Sequence, residues 1–290
     1  MDVSVIIVTY NSADAIAACL QSLMSQTGVT FETIVVDNAS KDNTLAQLAG
    51  YQVHLIPSTE NLGFGRGCNL GFNASRGHYV YLLNPDARLE TNHALDTLCR
   101  MMNTHPEWGM AGTLVRSPTG HLESPPATEY PGQRHVRRDF SKLPGRIAWI
   151  IGASMVIRRE LYEKLGGFDP GFFLYSEETD FCLRLRELGY EIGHVPDVTV
   201  RHIGGASAKL NDPYDLSAKK LKGLLRFRQK HYASEDCISL AKRDLLRARF
   251  RMIWYRILAG LQPPHSSAWQ KNRRYRAIWE VSRDYLGGLR

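Results

Sequence analysis

Four groups of residues in this chain have the types and spacing that chemistry requires. The first is Glu177-Glu178-Thr179-Asp180. Three carboxylates in four residues repel one another, which raises at least one pKa unless a cation or a helix dipole compensates. A carboxyl tuned that way suits a general base near neutral pH; the same residues also suit acidic capping of a helix. His202 follows 24 residues after Glu178 and is either a ligand or a packed or capping histidine. The second group is Asn84-Pro85-Asp86, directly after YVYLL. A carboxylate at the open end of a buried strand suits a hard divalent metal that also holds diphosphate oxygens; a plain strand-ending turn is the alternative. The third pairs Thr9-Tyr10-Asn11 with Asp37-Asn38-Ala39-Ser40. An Asp at a strand end can accept hydrogen bonds from a base edge or a ribose, and an adjacent aromatic can stack. Asp, Asn and Ser also favour turns and N-caps for reasons of their own. The fourth is Asn61-Leu62-Gly63-Phe64-Gly65-Arg66-Gly67-Cys68-Asn69. Its glycines allow backbone to approach a phosphate or a helix closely, and a helix N-terminus favours anions. As a dinucleotide fingerprint it fails, because the glycine spacing is wrong and it does not follow the first strand. A tight packing turn fits it equally.

The elements that must position these groups can be read from periodicity. Val3–Val8 is a continuous β-branched run, the pattern of a strand buried on both faces. A helix is expected from about Ala13 to Ser25, a second strand over Thr33–Val36, a helix over Thr44–Ala49 and a third strand over Val53–Ile56. A helix from about Gly65 to Ser75 and a strand over Tyr79–Leu83 follow. Strands and helices in alternation with short connections predict an α/β fold with a doubly wound, mainly parallel sheet. Thr9, Asp37, Asn61 and Asp86 then all lie just past strand ends, where such sheets bind ligands. Residues 116–146, rich in Pro, Gly and charge, read as a long loop over the active face. Order returns at Ile147–Ile157, with helices expected over Arg159–Leu165, Glu178–Leu188 and Leu216–His231, and a short strand over Val198–His202 ending in His202-Ile203-Gly204-Gly205.

Charge narrows the partners. The chain of 290 residues carries +7, yet residues 242–290 hold 12 basic and 3 acidic residues. The rest is close to neutral, so the basic character belongs to the tail. There, arginines alternate with Trp254, Tyr255, Trp269, Tyr275, Trp279 and Tyr285 in short helical stretches separated by Pro263-Pro264. Basic residues with interfacial aromatics suit a helix lying on an anionic membrane; helices packed on the domain with a solvated basic face are the alternative. A nucleic-acid-binding module is a competing class, but it leaves the acidic cluster unexplained, and no nucleic acid is expected as a partner. The five cysteines are scattered without a CxxC pair, as buried thiols of a reducing compartment would be. The N-terminus lacks a basic n-region, and the longest uncharged apolar stretch, Ile147–Ile157, falls short of the about 20 residues that span a bilayer. A cytoplasmic location is expected, peripheral on the inner face of the membrane if the tail docks there.

Taken in order, VSVIIVTYN, VVDNASKD, NLGFGRGCNLG, YLLNPDA, GASMVIRRELYEKLGGFDPGFFLYSEETDFCLRLRELGY and VRHIGG resemble the family 2 glycosyltransferases of GT-A fold, most closely the rhamnosyltransferase-like bacterial branch. The resemblance covers roughly residues 1–232, which implies a catalytic domain there and a basic, aromatic-rich helical extension over 233–290. It implies that Thr9, Tyr10 and Asp37 hold the nucleoside of a nucleotide-sugar donor; Asn11, Asn61, Gly63 and Arg66 are further donor-binding candidates, with Arg66 or backbone N–H groups near Gly63–Gly67 facing the leaving diphosphate. Asp86 matches the last acid of the DXD motif, a ligand of Mg²⁺ or Mn²⁺, and Asn84 stands where many members have the first Asp. Glu178 matches the catalytic base, Glu177 and Asp180 would shape that site and orient the acceptor or the base, and His202 would be a further metal ligand. The implied reaction is inverting transfer of a sugar to a hydroxyl of a glycan or polyprenyl-diphosphate-linked acceptor. The branch favours dTDP-rhamnose over a UDP-hexose as donor. A sugar nucleotidyltransferase ranks low, since the first strand-turn lacks a glycine-rich, basic triphosphate loop, and the two acids Glu178 and Asp86 argue against a non-catalytic binder.

Overall fold

A computed structural model describes residues 1–122, 125–203, 212–260 and 266–288. Gly204-Gly205 and Pro263-Pro264 lie outside the described residues. The chain partitions into two compact units. Met1–Tyr130, Ser141–Phe173 and the run beginning at Glu177 form the first; Pro131–Phe140, Leu174–Ser176 and the chain from residue 212 onward belong to the second.

In the first unit, β1 (Val3–Thr9) is flanked by β2 (Phe31–Asp37) and β4 (Tyr79–Leu83), with β3 (His54–Pro57) outside β2, all parallel. Helices α1 (Ile16–Met24), α2 (Thr44–Gln47) and α3 (Phe64–Asn73) make the connections. Val3, Val5 and Ile7 turn to one face with Ile16, Leu20 and Leu23 of α1, while Ile6 and Val8 turn to the other with Cys68 of α3. Burial on both faces is why β1 is apolar at nearly every position.

Beyond β4 the sheet becomes mixed, and its order is β3-β2-β1-β4-β7-β6-β8-β5. Here β7 (Ser154–Arg158) runs antiparallel to both β4 and β6 (Trp108–Arg116), β6 and β8 (Glu191–His202) are parallel, and β5 (Ala87–Leu89) is an antiparallel edge on β8. α4 (Ala94–Thr104) covers one face through Leu95, Leu98 and Met102; α5 (Arg159–Lys164) and α6 (Glu177–Glu187) cover the other, through Leu161 and through Phe181 and Leu185. The first unit is thus an α/β sheet flanked by helices, though less uniformly parallel than the alternation of elements predicts. β5, α4 and β6 are additions to the expected elements, and β8 is longer than Val198–His202. Its register slips between Thr113 and Leu114, so that Thr113 faces Val195 but Leu114 faces Thr199. The extra residues on β8 include Pro196, which a regular ladder would not accept but a bulge does.

In the second unit, α7 (Pro213–His231), α8 (Ser234–Gly260) and α9 (Ser267–Gly287) pack together. Leu221 and Leu225 of α7 meet Ala241 of α8 and Ile278 and Val281 of α9, and Arg228 pairs with Asp244 at 2.6 Å. Tyr232 Oη donates to the Pro131 carbonyl at 2.9 Å, and Arg138 donates to the His231 carbonyl at 2.8 Å, fixing segment 131–140 to the same helices. Sequence alone draws the boundary at residue 232; by packing, α7 groups with α8 and α9. The tail forms two long helices where short stretches were expected.

Candidate active site

The turn after β4 is set by its own sequence. The Asn84 carbonyl accepts the Ala87 N–H at 3.1 Å, which closes a β-turn with Pro85 at the second position, where its fixed φ is an advantage. Asp86 stands third, and its carbonyl accepts the Ile203 N–H at 3.0 Å. β5 then pairs with the end of β8, Ala87 opposite His202. That register brings His202 Nε2 to 3.1 Å from Asp86 Oδ1 and 3.2 Å from Asn84 Nδ2, with the Asp86 and His202 side chains buried.

One ring nitrogen cannot serve both neighbours. Protonated, Nε2 donates to the carboxylate and meets the amide N–H head-on; deprotonated, it accepts from the amide but faces a carboxylate oxygen. Turning the Asn84 amide so that its oxygen faces a protonated Nε2 removes the conflict; in that rotamer, with the ring nitrogen deprotonated, the imidazole lone pair, the carboxylate and the amide oxygen are also donors that suit a divalent cation. The donor set therefore fits Mg²⁺ or Mn²⁺. No group of three or more His, Cys, Asp or Glu that could hold a metal converges among the described residues. Asp86 and His202 would thus share the ion with oxygens of a bound diphosphate.

The ends of β1 and β2 form the second part. Thr9 and Asp37 are register partners, and Thr9 Oγ1 donates to Asp37 Oδ1 at 2.9 Å. Ser40 Oγ donates to the same oxygen at 2.5 Å and the Ser40 N–H to Asp37 Oδ2 at 3.0 Å. Thr9 and Asp37 are buried, so their first task is to fix the loop. The two loops are also tied to each other: the Asn11 N–H donates to Ser40 Oγ at 2.9 Å, and Asn11 Oδ1 accepts the Lys41 N–H at 2.8 Å. Asn11 and Ala39 adopt φ of 51° and 60°, a conformation that costs a non-glycine residue and persists where surrounding bonds impose it. Tyr10 and Asn11 are half-buried, as are Ala39 and Ser40 in the facing loop.

The glycine motif turns out to be largely a packing device. Asn61 Oδ1 accepts the Gly63 N–H at 2.9 Å, and the Phe64 N–H donates to the Phe173 carbonyl at 3.2 Å. Gly63 has φ of 82°, and a Cβ there would overlap the Phe173 carbonyl oxygen. Gly67 and Gly71 let α3 press onto Val8 and Ile6 of β1. Arg66 points to the exposed side of α3.

At the first turn of α6, three acids meet three environments. Asp180 is fully buried and accepts from Arg184 Nε at 2.8 Å, while Arg184 also donates to the carbonyls of Leu165 and Gly167 at 2.9 Å each. Enclosed in this way, Asp180 orients α6 itself. Glu177 is also buried, and its Oε2 has no hydrogen-bond partner. Burial pushes its carboxyl well above the usual carboxylate range, and the neighbouring Glu178 pushes it further. Glu178 is the half-buried one. Its Cβ lies beside Gly152, the residue before Ala153, whose carbonyl accepts the Asn84 N–H at 3.0 Å. One backbone hydrogen bond thus joins the segment beneath Glu178 to the turn that carries Asp86.

Two supporting residues escape sequence inspection. Asn69 Nδ2 donates to the Phe168 carbonyl at 2.8 Å, and its Oδ1 accepts from Tyr162 Oη at 2.7 Å and the Phe168 N–H at 2.9 Å, tying α3 to the segment that leads toward α6. Asn38 donates to the Gly63 carbonyl at 3.0 Å and keeps its Oδ1 buried without a partner. Nothing in the spacing marks either; each lies inside a motif whose other members attract notice.

The upward shift of the Glu177 carboxyl has a measurable consequence for stability. Below about pH 4.3 an unfolded glutamate is protonated too, and the buried acid carries no pH-dependent penalty. As pH rises from there toward the folded-state pKa, the unfolded chain releases its proton first, and folding loses up to about 1.4 kcal/mol per pH unit. Glu177→Gln removes that dependence. Its stability advantage over the wild type should vanish near about pH 4 and grow toward neutral pH, as read by urea denaturation. A difference constant with pH would show that Glu177 is ionised in the fold.

The comparisons with known proteins agree with this geometry. The chain is 28% identical over 233 residues to the N-acetylglucosaminyl-diphospho-decaprenol L-rhamnosyltransferase of Mycobacterium tuberculosis, covering 68% of this chain and 75% of that one. The fold matches S. aureus TarS with a TM-score of 0.58 at 20% identity, over 87% of this chain but only 43% of TarS. It also matches the mannosyltransferase PcManGT of Pyrobaculum calidifontis, solved with GDP-Man and Mn²⁺, with a TM-score of 0.56 at 18% identity, over 99% of this chain and 74% of that one. The family model described as glycosyl transferase family 2 matches residues 4–166. With a GT-A sheet whose strand ends gather these polar residues, the chain belongs to glycosyl transferase family 2.

Proposed function

We propose that this glycosyltransferase moves rhamnose from dTDP-rhamnose to a hydroxyl of a lipid-diphosphate-linked or cell-surface glycan, with inversion at the anomeric carbon. The observation that carries the reaction type is the split between Glu177 and Glu178: adjacent in one turn of α6, one is buried, with burial pushing its carboxyl well above the usual carboxylate range, and the other is half-buried. Neighbouring carboxyls set apart by environment are the mark of an assigned acid and base. The donor sugar and lipid-linked acceptor rest on the rhamnosyltransferase relative.

An acceptor hydroxyl has a pKa far above 7 and is a weak nucleophile until its proton is taken. Glu178 removes that proton as the oxygen attacks the anomeric carbon. Glu177, neutral beside it, leaves the negative charge of the pair on Glu178. The nucleoside diphosphate departs on the opposite side, so a single base in line with it inverts the configuration. Asp86 and His202 would hold the divalent cation, which when bound offsets the negative charge growing on the leaving diphosphate. The loops tied together at Thr9, Asn11, Asp37 and Ser40 provide a rigid rim for the nucleoside, so little ordering remains to be done on binding. Tyr10 offers the ring for stacking.

The test is a thermal-shift panel of dTDP-rhamnose, UDP-GlcNAc, UDP-glucose and GDP-mannose, each with and without Mn²⁺ or Mg²⁺, followed by product analysis. A ligand that binds only the folded state raises the melting temperature by an amount that grows with the logarithm of its concentration relative to Kd. dTDP-rhamnose with metal should give the largest shift and an inverted product. A larger shift with a UDP-sugar would replace the donor, and a retained configuration would remove Glu178 from its role.

A further inference from the structure

α8 is apolar on two sides. One side is accounted for: Ala241 and Ala248 are buried, Tyr255 stacks on Tyr275 of α9 with ring centroids 5.7 Å apart, and Asn272 Nδ2 of α9 donates to the Met252 carbonyl at 2.8 Å. The other side is not. Leu246, Phe250, Ile253, Trp254 and Ile257 are 48–73% exposed. At 100° per residue they fall within a stripe about 100° wide, because their spacing is i, i+4, i+7, i+8 and i+11. Arg247 and Arg251 border the stripe on one side, Arg249 and Arg256 on the other, and all four are exposed.

We propose that this stripe seats α8 in the interface of an anionic bilayer. An interfacial helix needs large apolar side chains in the middle, cations at the edges where headgroup phosphates lie, and an aromatic at the boundary; α8 presents all three along one line. The stripe follows the helix for about three turns, and among the described residues no helix is long and apolar enough to cross a membrane. The helix therefore lies in the surface plane. A second copy of the chain is a poorer occupant, because pairing two such stripes would bring arginine borders together. A nucleic acid would engage the arginines but leave Ile253 and Ile257 in water.

The experiment is co-sedimentation of the full chain with vesicles of phosphatidylcholine containing about 30% phosphatidylglycerol, against pure phosphatidylcholine. Binding should require the anionic lipid. Phe250→Ser/Trp254→Ser should reduce it at least about tenfold, since each side chain contributes area to the insertion. The substituted positions are exposed, so the variant should fold; an unchanged melting temperature and an unchanged donor-induced shift confirm that. Because no substrate is present in the vesicle assay, its outcome is independent of donor and acceptor identity. No binding by the full chain, or equal binding by the double variant, overturns the proposal. So does a dimer in light scattering that the same substitutions dissolve, which assigns the stripe to self-association, or salt-sensitive RNA binding that they abolish.

Discussion

Glu178→Gln loses about a thousandfold in kcat, within the range a positioned general base contributes, while its donor-induced thermal shift stays within error of the wild type. The magnitude follows from what remains. Glutamine keeps the volume and a hydrogen-bonding carbonyl but cannot take the acceptor proton, so the hydroxyl must attack while still protonated. Glu178 is half-buried on the first turn of α6 and beside Gly152, so the exchange disturbs no packed interior. Glu177→Gln is the necessary comparison. Its carboxyl is buried, and burial pushes it well above the usual carboxylate range toward the neutral form, so exchanging it for a neutral amide should cost kcat less than tenfold. Loss in kcat with KM for the donor unchanged marks an interaction made in the transition state. If Glu177→Gln were the inactive variant and Glu178→Gln turned over normally, the two roles would have to be exchanged.

How far this site can be read without a structure depends on the distance over which its parts are assembled. β1 is legible because burial on both faces leaves every position from Val3 to Val8 apolar except Ser4. Residues just past the strand ends are legible for the same reason, since a polar residue that breaks an apolar run marks where the strand leaves the core at the carboxyl end of the sheet. By contrast, β6 contains Gly109 and Gly112, which make room for Leu185 and Ile150, and these interrupt the β-branched pattern that announces a strand. β8 conceals itself through Pro196 at its bulge. The meeting of Asp86 with His202 depends on Ala87 facing His202 across β5 and β8, a register set by residues more than a hundred positions apart. No local pattern can carry that. Asp180 shows the opposite difficulty: its acid is visible in the cluster, but the i,i+4 spacing to Arg184 marks it as an ion pair, and only burial decides between the two readings. In the tail the charge is plain from composition, whereas the stripe on α8 emerges only once the other side of the helix is known to be covered.

Asp86→Asn should lower kcat/KM by about a hundred- to thousandfold, as expected where a cation supplies several kcal/mol of charge stabilisation to a departing diphosphate. Asparagine is nearly isosteric, and the backbone bond from the Ile203 N–H to the Asp86 carbonyl is untouched, so the turn should survive. The side-chain contact with His202 Nε2, 3.1 Å in the wild type, can persist as a neutral hydrogen bond. What disappears is the one carboxylate of the Asn84-Pro85-Asp86 turn. The decisive readout is the coupling between nucleotide and metal: in the wild type Mn²⁺ should enlarge the thermal shift given by a nucleoside diphosphate, and in Asp86→Asn it should not. Asn84→Asp moves the system the other way. A second carboxylate beside His202 raises the negative charge around the cation, so the Mn²⁺ concentration for half-maximal activity should fall, because ligand charge tunes divalent affinity. Metal coupling that survives in Asp86→Asn would place the cation elsewhere, and the short contact between Asp86 and His202 would then be a structural bond closing the end of β8.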